Sequence, residues 1–173
     1  ESARVPLLIV APGVTTQGTV ATTPVAHVDL FPTLAELAGV KAPANLQGQS
    51  LVPILRKPNT TGRGWALTQV VRGGGFNRMG ASPAAGDNGK RFFGYSLRTP
   101  RWRYTEWDEG AFGRELYDHD ADPKELTNLA TLPEQAATVA ELGALLRGAV
   151  KSTFPADGKT PAVAPGTWAP LLV

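Results

Sequence analysis

The 173-residue chain is 42% hydrophobic, carries a formal net charge of +2 and contains no cysteine. That composition suits one core-building domain and excludes wholesale disorder, disulfides, a thiolate nucleophile and cysteine–zinc sites. Basic residues are scattered, so nucleic-acid binding is not indicated despite a pI of about 9.1, and no apolar run approaches the ~20 residues of a membrane helix.

The chain opens "ESARVPLLIVAPG", with no Met and no signal-peptide zoning, as expected of a cut point inside a longer protein. "RVPLLIV" (4–10), closed by "APG", predicts a buried strand, the last of a sheet begun upstream. "VTTQGTVATTP" is a polar loop. "DLFPTLAELAG" then predicts a helix. Asp29 suits its N-cap, Pro32 its first turn and Gly39 its stop, with Leu30, Leu34, Leu37 and Ala38 on one face. In "SLVPILRKP", Ser50 caps a second short helix that ends before Pro58.

The second half changes character. "WALTQVV" (65–71), "FFGYSLRT" (92–99), "RWRYTEW" (101–107) and "GRELYDH" (113–119) are rich in aromatic and β-branched residues and separated by turn signals. They predict an antiparallel meander. "PEQAATVAELGALLRGAV" (133–150) carries Val139, Leu142, Leu145, Leu146 and Ala149 at helical spacing and should pack on one sheet face. Residues 151–173, rich in Pro and Gly, read as an extended strap.

Four stretches raise questions of chemistry. "ELYDHDADPKEL" (115–126) gathers Asp118, His119, Asp120 and Asp122. A calcium loop starting at Asp118 fails where it needs Gly, at Pro123, and where it needs Glu, at Leu129. With His27 and His119 the only histidines, zinc is poorly served, and an Asp-Pro turn closing a strand accounts for the pattern. "RGGGFNR" (72–78) lacks P-loop chemistry and reads as a hairpin loop, or as a lip over an anionic substrate with Arg72 and Arg78 as contacts. In "RTPRWRYTEW", alternation puts Arg101, Arg103, Thr105 and Trp107 on one face and Trp102, Tyr104 and Glu106 on the other. That face can bind a sugar or an anion, or serve cross-strand packing with an Arg–carboxylate bridge. His27, without a partner, reads as structural, and there is no G-x-S-x-G elbow.

"RVPLLIVAPG", "HVDLFPTLAELAG", "GQSLVPIL", "GYSLRTPRWRYTEW" and "ELYDHDADPKELTNLA" follow one another as at the C-terminal end of sulfatases. Over roughly residues 1–150 the chain resembles that family, "GYSLRT…RWRYTEW" being most similar to its iduronate-2-sulfatase branch. The resemblance implies an α/β fold, α+β in this stretch. Residues 1–60 would be the end of an alkaline-phosphatase-like catalytic core, and 61–150 a four-stranded antiparallel sheet with a packed helix. It also implies a formylglycine nucleophile and a calcium ion. No cysteine or suitably placed serine is present, "ASPAAG" lacking the following Arg, so no catalytic or metal-binding residue is assigned here.

The whole protein would hydrolyse a sulfate ester of a sulfated carbohydrate in a periplasmic, secreted or lysosome-like compartment. This stretch, inactive alone, would support the upstream catalytic portion and wall the pocket. Arg72, Arg98, Arg103 and Trp107 are the candidate substrate contacts. A phosphonate or phosphodiester hydrolase of the same superfamily and a non-catalytic carbohydrate-binding module are the alternatives.

Overall fold

The computed structural model describes residues 3–44, 46–72 and 92–154. Arg78, the "ASPAAG" segment and most of the C-terminal strap lie outside them. Two short helices, α1 (Leu30–Leu37) and α2 (Val52–Arg56), precede four strands. These are β1 (Ala66–Arg72), β2 (Phe92–Arg98), β3 (Trp102–Trp107) and β4 (Arg114–Asp118), and helix α3 (Ala136–Lys151) follows. The strands form one antiparallel sheet in the order β1-β2-β3-β4, the meander that the turn spacing predicts.

The strand period of two divides the sheet into a helix-facing and an open face. One register row, Leu67–Leu97–Tyr104–Leu116, lies under α3. There Leu97, Tyr104 and Leu116 are buried with Leu142, Leu146 and Ala149 of the helix. Leu145, placed on the helix's apolar face by its spacing, is instead exposed. Glu106 is buried on this same side and accepts a 2.7 Å hydrogen bond from the Tyr104 hydroxyl. Arg114 and Arg147 approach the same carboxylate at 3.4 and 3.6 Å. Burial first, and then the Glu106 carboxylate, push the Tyr104 phenol far above its ordinary pKa, so it stays a donor.

Before the sheet, the sequence misjudged four details. Residues 4–10 form no strand, and Leu8 and Val10 are 89% and 79% exposed. A strand exists only through hydrogen bonds to a neighbour, and no described segment pairs its backbone with this one. Asp29 stands at the N-cap position of α1, as predicted, but its side chain makes no capping hydrogen bond because the carboxylate is engaged elsewhere. It accepts the Ala26 and Gln49 N–H groups at 2.8 and 2.9 Å and Arg63 Nη2 at 2.5 and 2.6 Å. The inner face of α1 is Pro32 and Thr33, while Leu34 is 62% exposed. Thr33 wins that place by polarity: its hydroxyl donates to the Asp29 carbonyl at 2.5 Å and accepts the Leu51 N–H at 2.8 Å. Ser50 accepts the Val52 N–H at 3.2 Å, but the N-cap of α2 is Leu51, so the predicted cap falls one residue early.

Two glycines are fixed by close approach. A Cβ on Gly48 would stand 1.9 Å from the Val28 carbonyl oxygen. A Cβ on Gly94 would stand 2.3 Å from the indole of Trp107, its partner across β2–β3. The ring covers the glycine, restoring packing that the missing side chain forfeits.

Two stability tests follow from this packing. Asp29→Ala leaves Arg63 half-buried without its partner and should cost about 3–5 kcal/mol in urea unfolding. Gly94→Ala should cost about 1–3 kcal/mol by forcing Trp107 aside, with a matching change in its near-ultraviolet circular dichroism.

Candidate functional site

The register assembles the open face row by row. Ala66, Arg98, Arg103 and Tyr117 form one row; Thr68, Ser96, Thr105 and Glu115 the next; Val70, Gly94 and Trp107 the third; Arg72 and Phe92 the last. Arg72, Arg98, Arg103 and Trp107 therefore all lie on the face opposite α3. Arg101 leaves it: it precedes β3, holds Asp118 by two hydrogen bonds of 3.0 and 2.6 Å and stacks 4.5 Å over Trp102.

Each of the four has local partners. The Arg72 guanidinium sits 4.5 Å over the Trp107 ring, a contact that desolvation strengthens. Phe92 meets that indole edge to face at 6.4 Å, and Trp107 Nε1 donates to Glu115 at 3.0 Å. Arg103 is paired with Glu125, which also meets His119 Nε2 at 2.7 Å. Arg98 has no carboxylate partner among the described residues. It donates to the Thr99 carbonyl and, at 3.3 Å, to that of Trp102. Burial, and then the charge of Arg103 directly across from it, lower the Arg98 pKa.

The three hydroxyl residues of the second row, Thr68, Ser96 and Thr105, line a trough of about 150 Å³. Arg103, Glu115, Glu125 and Trp107 wall it. Thr105 is 4% exposed and donates to Ser96 Oγ at 2.9 Å. Thr68, Ser96, Glu115 and Glu125 carry no motif of their own in the sequence; the first three share this face through strand alternation carried across the paired strands. Glu125 comes from a loop and carries no periodic signal; its φ of +57° is the left-handed region that non-glycine residues rarely occupy.

The acidic stretch proves to be an ionic turn. Asp118 is held by Arg101, and that hydrogen bond is the main cause of its lowered pKa. Asp122 accepts the Leu126 and Thr127 N–H groups at 2.7 and 2.8 Å, while His119 turns to Glu125. Among the described residues no three Asp, Glu or His side chains converge to hold a metal. The calcium that the resemblance implies therefore finds no ligand set among them. His27 is exposed at the start of a 3₁₀ turn.

A four-stranded antiparallel meander with one packed helix, preceded by two short helices, matches the α+β C-terminal stretch of sulfatase structures. A family model described as N-sulphoglucosamine sulphohydrolase, C-terminal, matches residues 1–70. Arylsulfatase K of Gallus gallus is 36% identical over 151 residues, 86% of this chain and 26% of that protein. A Delta 4,5-hexuronate-2-O-sulfatase of Bacteroides thetaiotaomicron is 33% identical over 158 residues, 84% of this chain and 28% of the relative. A solved structure in complex with its substrate D-glucosamine-2-N,6-O-disulfate superposes with a TM-score of 0.63 at 27% identity. That match covers 82% of this chain and 27% of the other. The chain belongs to the sulfatases and corresponds to their C-terminal region. It spans about a quarter of the length of the curated relatives it matches.

The Glu125 cluster carries a pH dependence. Burial opposes ionisation of Glu125, but the His119 hydrogen bond and the Arg103 charge outweigh it, and its pKa lies below the ordinary carboxylate value. A depressed carboxylate stabilises the fold above its unfolded-state pKa and loses that contribution as pH falls through the folded-state value. Urea midpoints should therefore hold near neutrality and fall below the ordinary carboxylate range; Glu125→Gln should be less stable at pH 7 and show a shallower acid fall.

Proposed function

We propose that the protein to which this chain belongs hydrolyses sulfate esters of a sulfated saccharide. The observation that carries this is identity of 33–36%, spread over more than four-fifths of the chain, with proteins named arylsulfatase K and Delta 4,5-hexuronate-2-O-sulfatase. The second of these names favours a 2-O-sulfated uronic acid, in keeping with the resemblance to the iduronate-2-sulfatase branch. A sulfatase requires a nucleophile, a charge-stabilising metal and groups that orient the ester. Formylglycine and calcium, supplied by the upstream portion, would provide the first two. The present residues would support that portion and offer a cationic pocket wall through Arg98 and Arg103, with Trp107 and Arg72 bracing it. A lysosome-like, periplasmic or secreted compartment accords with this role. No helix among the described residues is long and apolar enough to cross a membrane.

The full-length protein, assayed for sulfate release from a 2-O-sulfated hexuronate saccharide and for cleavage of a phosphonate monoester, should prefer the sulfate ester. A higher kcat/KM on the phosphonate would move the protein to the sister hydrolases, and inertness on both would favour a binding module. Residues 1–173 alone should be inactive. Arg98→Gln in the full-length enzyme should raise KM about tenfold, the equivalent of one charge-assisted hydrogen bond, and lower kcat less. An unchanged KM with a lowered melting temperature would make Arg98 structural.

A further inference from the structure

The connection from β4 to α3 is fastened at both ends. At its start, Arg101 holds Asp118, whose carbonyl accepts the Ala121 and Asp122 N–H groups at 3.2 and 2.6 Å. At its end, the Asn128 side chain accepts the Leu116 N–H and donates to the Arg114 carbonyl, both at 3.0 Å. In the middle, Asp122 caps its own loop and Leu126 is 79% exposed. Glu125 supplies the tie between this middle part and the sheet. Its carboxylate pairs with Arg103 of β3 and meets His119 Nε2, just past the end of β4, at 2.7 Å. Glu125 takes that position with a φ of +57°, a left-handed backbone that a residue with a side chain holds only where its surroundings dictate it. The tie works against that backbone cost, so its strength decides how firmly residues 120–127 lie against the open face.

One half of the tie is permanent and the other is not. Arg103 keeps its charge at every working pH. The His119 side chain is 9% exposed and, when neutral, donates Nε2–H to Glu125. Proton uptake from solvent at Nδ1 leaves that bond in place and adds a charge to its donor, and a charge-assisted hydrogen bond is roughly twice as strong as a neutral one. The cations around the pair are Arg103, Arg98 of β2 and Arg4 of the N-terminal segment; the carboxylates are Asp120, Asp122 and Glu115. The Tyr117 phenol, pushed up first by burial, stays neutral. Arginines and carboxylates hold their charge between about pH 5.5 and 7.5, and histidine is the side chain whose ordinary range covers that interval. Asp120 leans toward Arg101 at 3.7 Å and Glu115 takes the Trp107 N–H, which leaves Glu125 as the carboxylate in contact with the imidazole.

We propose that His119 and Glu125 form an acid-tightened latch on the β4–α3 connection, with proton uptake by the imidazole drawing loop 120–127 onto the open face of the sheet. A histidine that gains a carboxylate partner on folding contributes stability on the acid side and loses it as pH rises. The latch is therefore firm near about pH 5.5 and slack near about pH 7.5, above the range in which carboxylates themselves protonate. Because Glu125 walls the trough, the same event fixes that wall in place. The latch is independent of which ester the protein hydrolyses.

The test is amide hydrogen exchange of the full-length protein at about pH 5.5 and 7.5, on either side of the histidine range, with each rate divided by the intrinsic rate of unfolded peptide at that pH. Peptides over 120–127 should be about fivefold better protected at the lower pH, the gain of a charged over a neutral donor, while peptides from β2 and β3 change little. His119→Gln keeps a donor that takes up no proton, and Glu125→Gln removes the carboxylate; either should abolish the difference. Equal protection of the wild-type loop at the two pH values overturns the latch, as does a difference that either variant retains. A difference shared equally by β2 and β3 also overturns it, because the effect is then global. Better protection at the higher pH does the same, since the added charge is then repelled by Arg98 and Arg103 more than Glu125 holds it. Should His119→Gln fail to fold, the wild-type comparison and Glu125→Gln decide alone.

Discussion

Asp29 is fully buried, and a carboxylate removed from water must be matched on the spot. Two backbone N–H groups and the guanidinium of Arg63 meet it. Those partners are 3, 20 and 34 residues away in the sequence, so satisfying one charge brings together the entry to α1, the loop before α2 and the approach to β1. Arg63 carries the link onward by donating to the carbonyls of Gln47 and Trp65 and lying 4.9 Å over the Trp65 ring. Thr33 adds a second tie through Leu51. These polar links fix position more sharply than apolar contact alone would, since hydrogen bonds have direction and the hydrophobic effect does not.

Beyond that joint, the sheet separates two kinds of work. Its inner face is closed by α3 over Leu97, Tyr104 and Leu116, with Glu106 paired beneath the helix. Its outer face is polar, cationic at one end and aromatic at the other. Gly94 allows this contrast, because the absent side chain lets Trp107 lie flat against β2 where it meets Arg72 and Phe92. A rigid sheet holds such side chains in place with less entropy to lose than a mobile loop would.

The resemblance that identifies the family lies largely in residues with structural roles. "DPKELTNL" contains Asp122, which caps the following backbone, and Asn128, whose side chain accepts the Leu116 and Ala130 N–H groups and donates to the Arg114 carbonyl. The acidic run that resembled a metal site is bound up in the same fastening. Family membership is therefore readable without any catalytic residue in view.

The sequence by itself determined the four strands of the meander and the final helix, since their periodicities of two and 3.6 are written in neighbouring residues. It also determined that the "RWRYTEW" strand has a cationic face, and that Asp118, Asp120 and Asp122 do not follow a calcium loop. Only the tertiary structure decided that Asp29 answers to Arg63 and not to its own helix, that Thr33 displaces Leu34 from the interior, and that Arg101 leaves the strand face for Asp118. It alone set Glu125 between Arg103 and His119. The reason is common to all four: a polar side chain takes the partner that best satisfies its charge or hydrogen bonds, and that partner is fixed by the folded chain's register and not by sequence spacing.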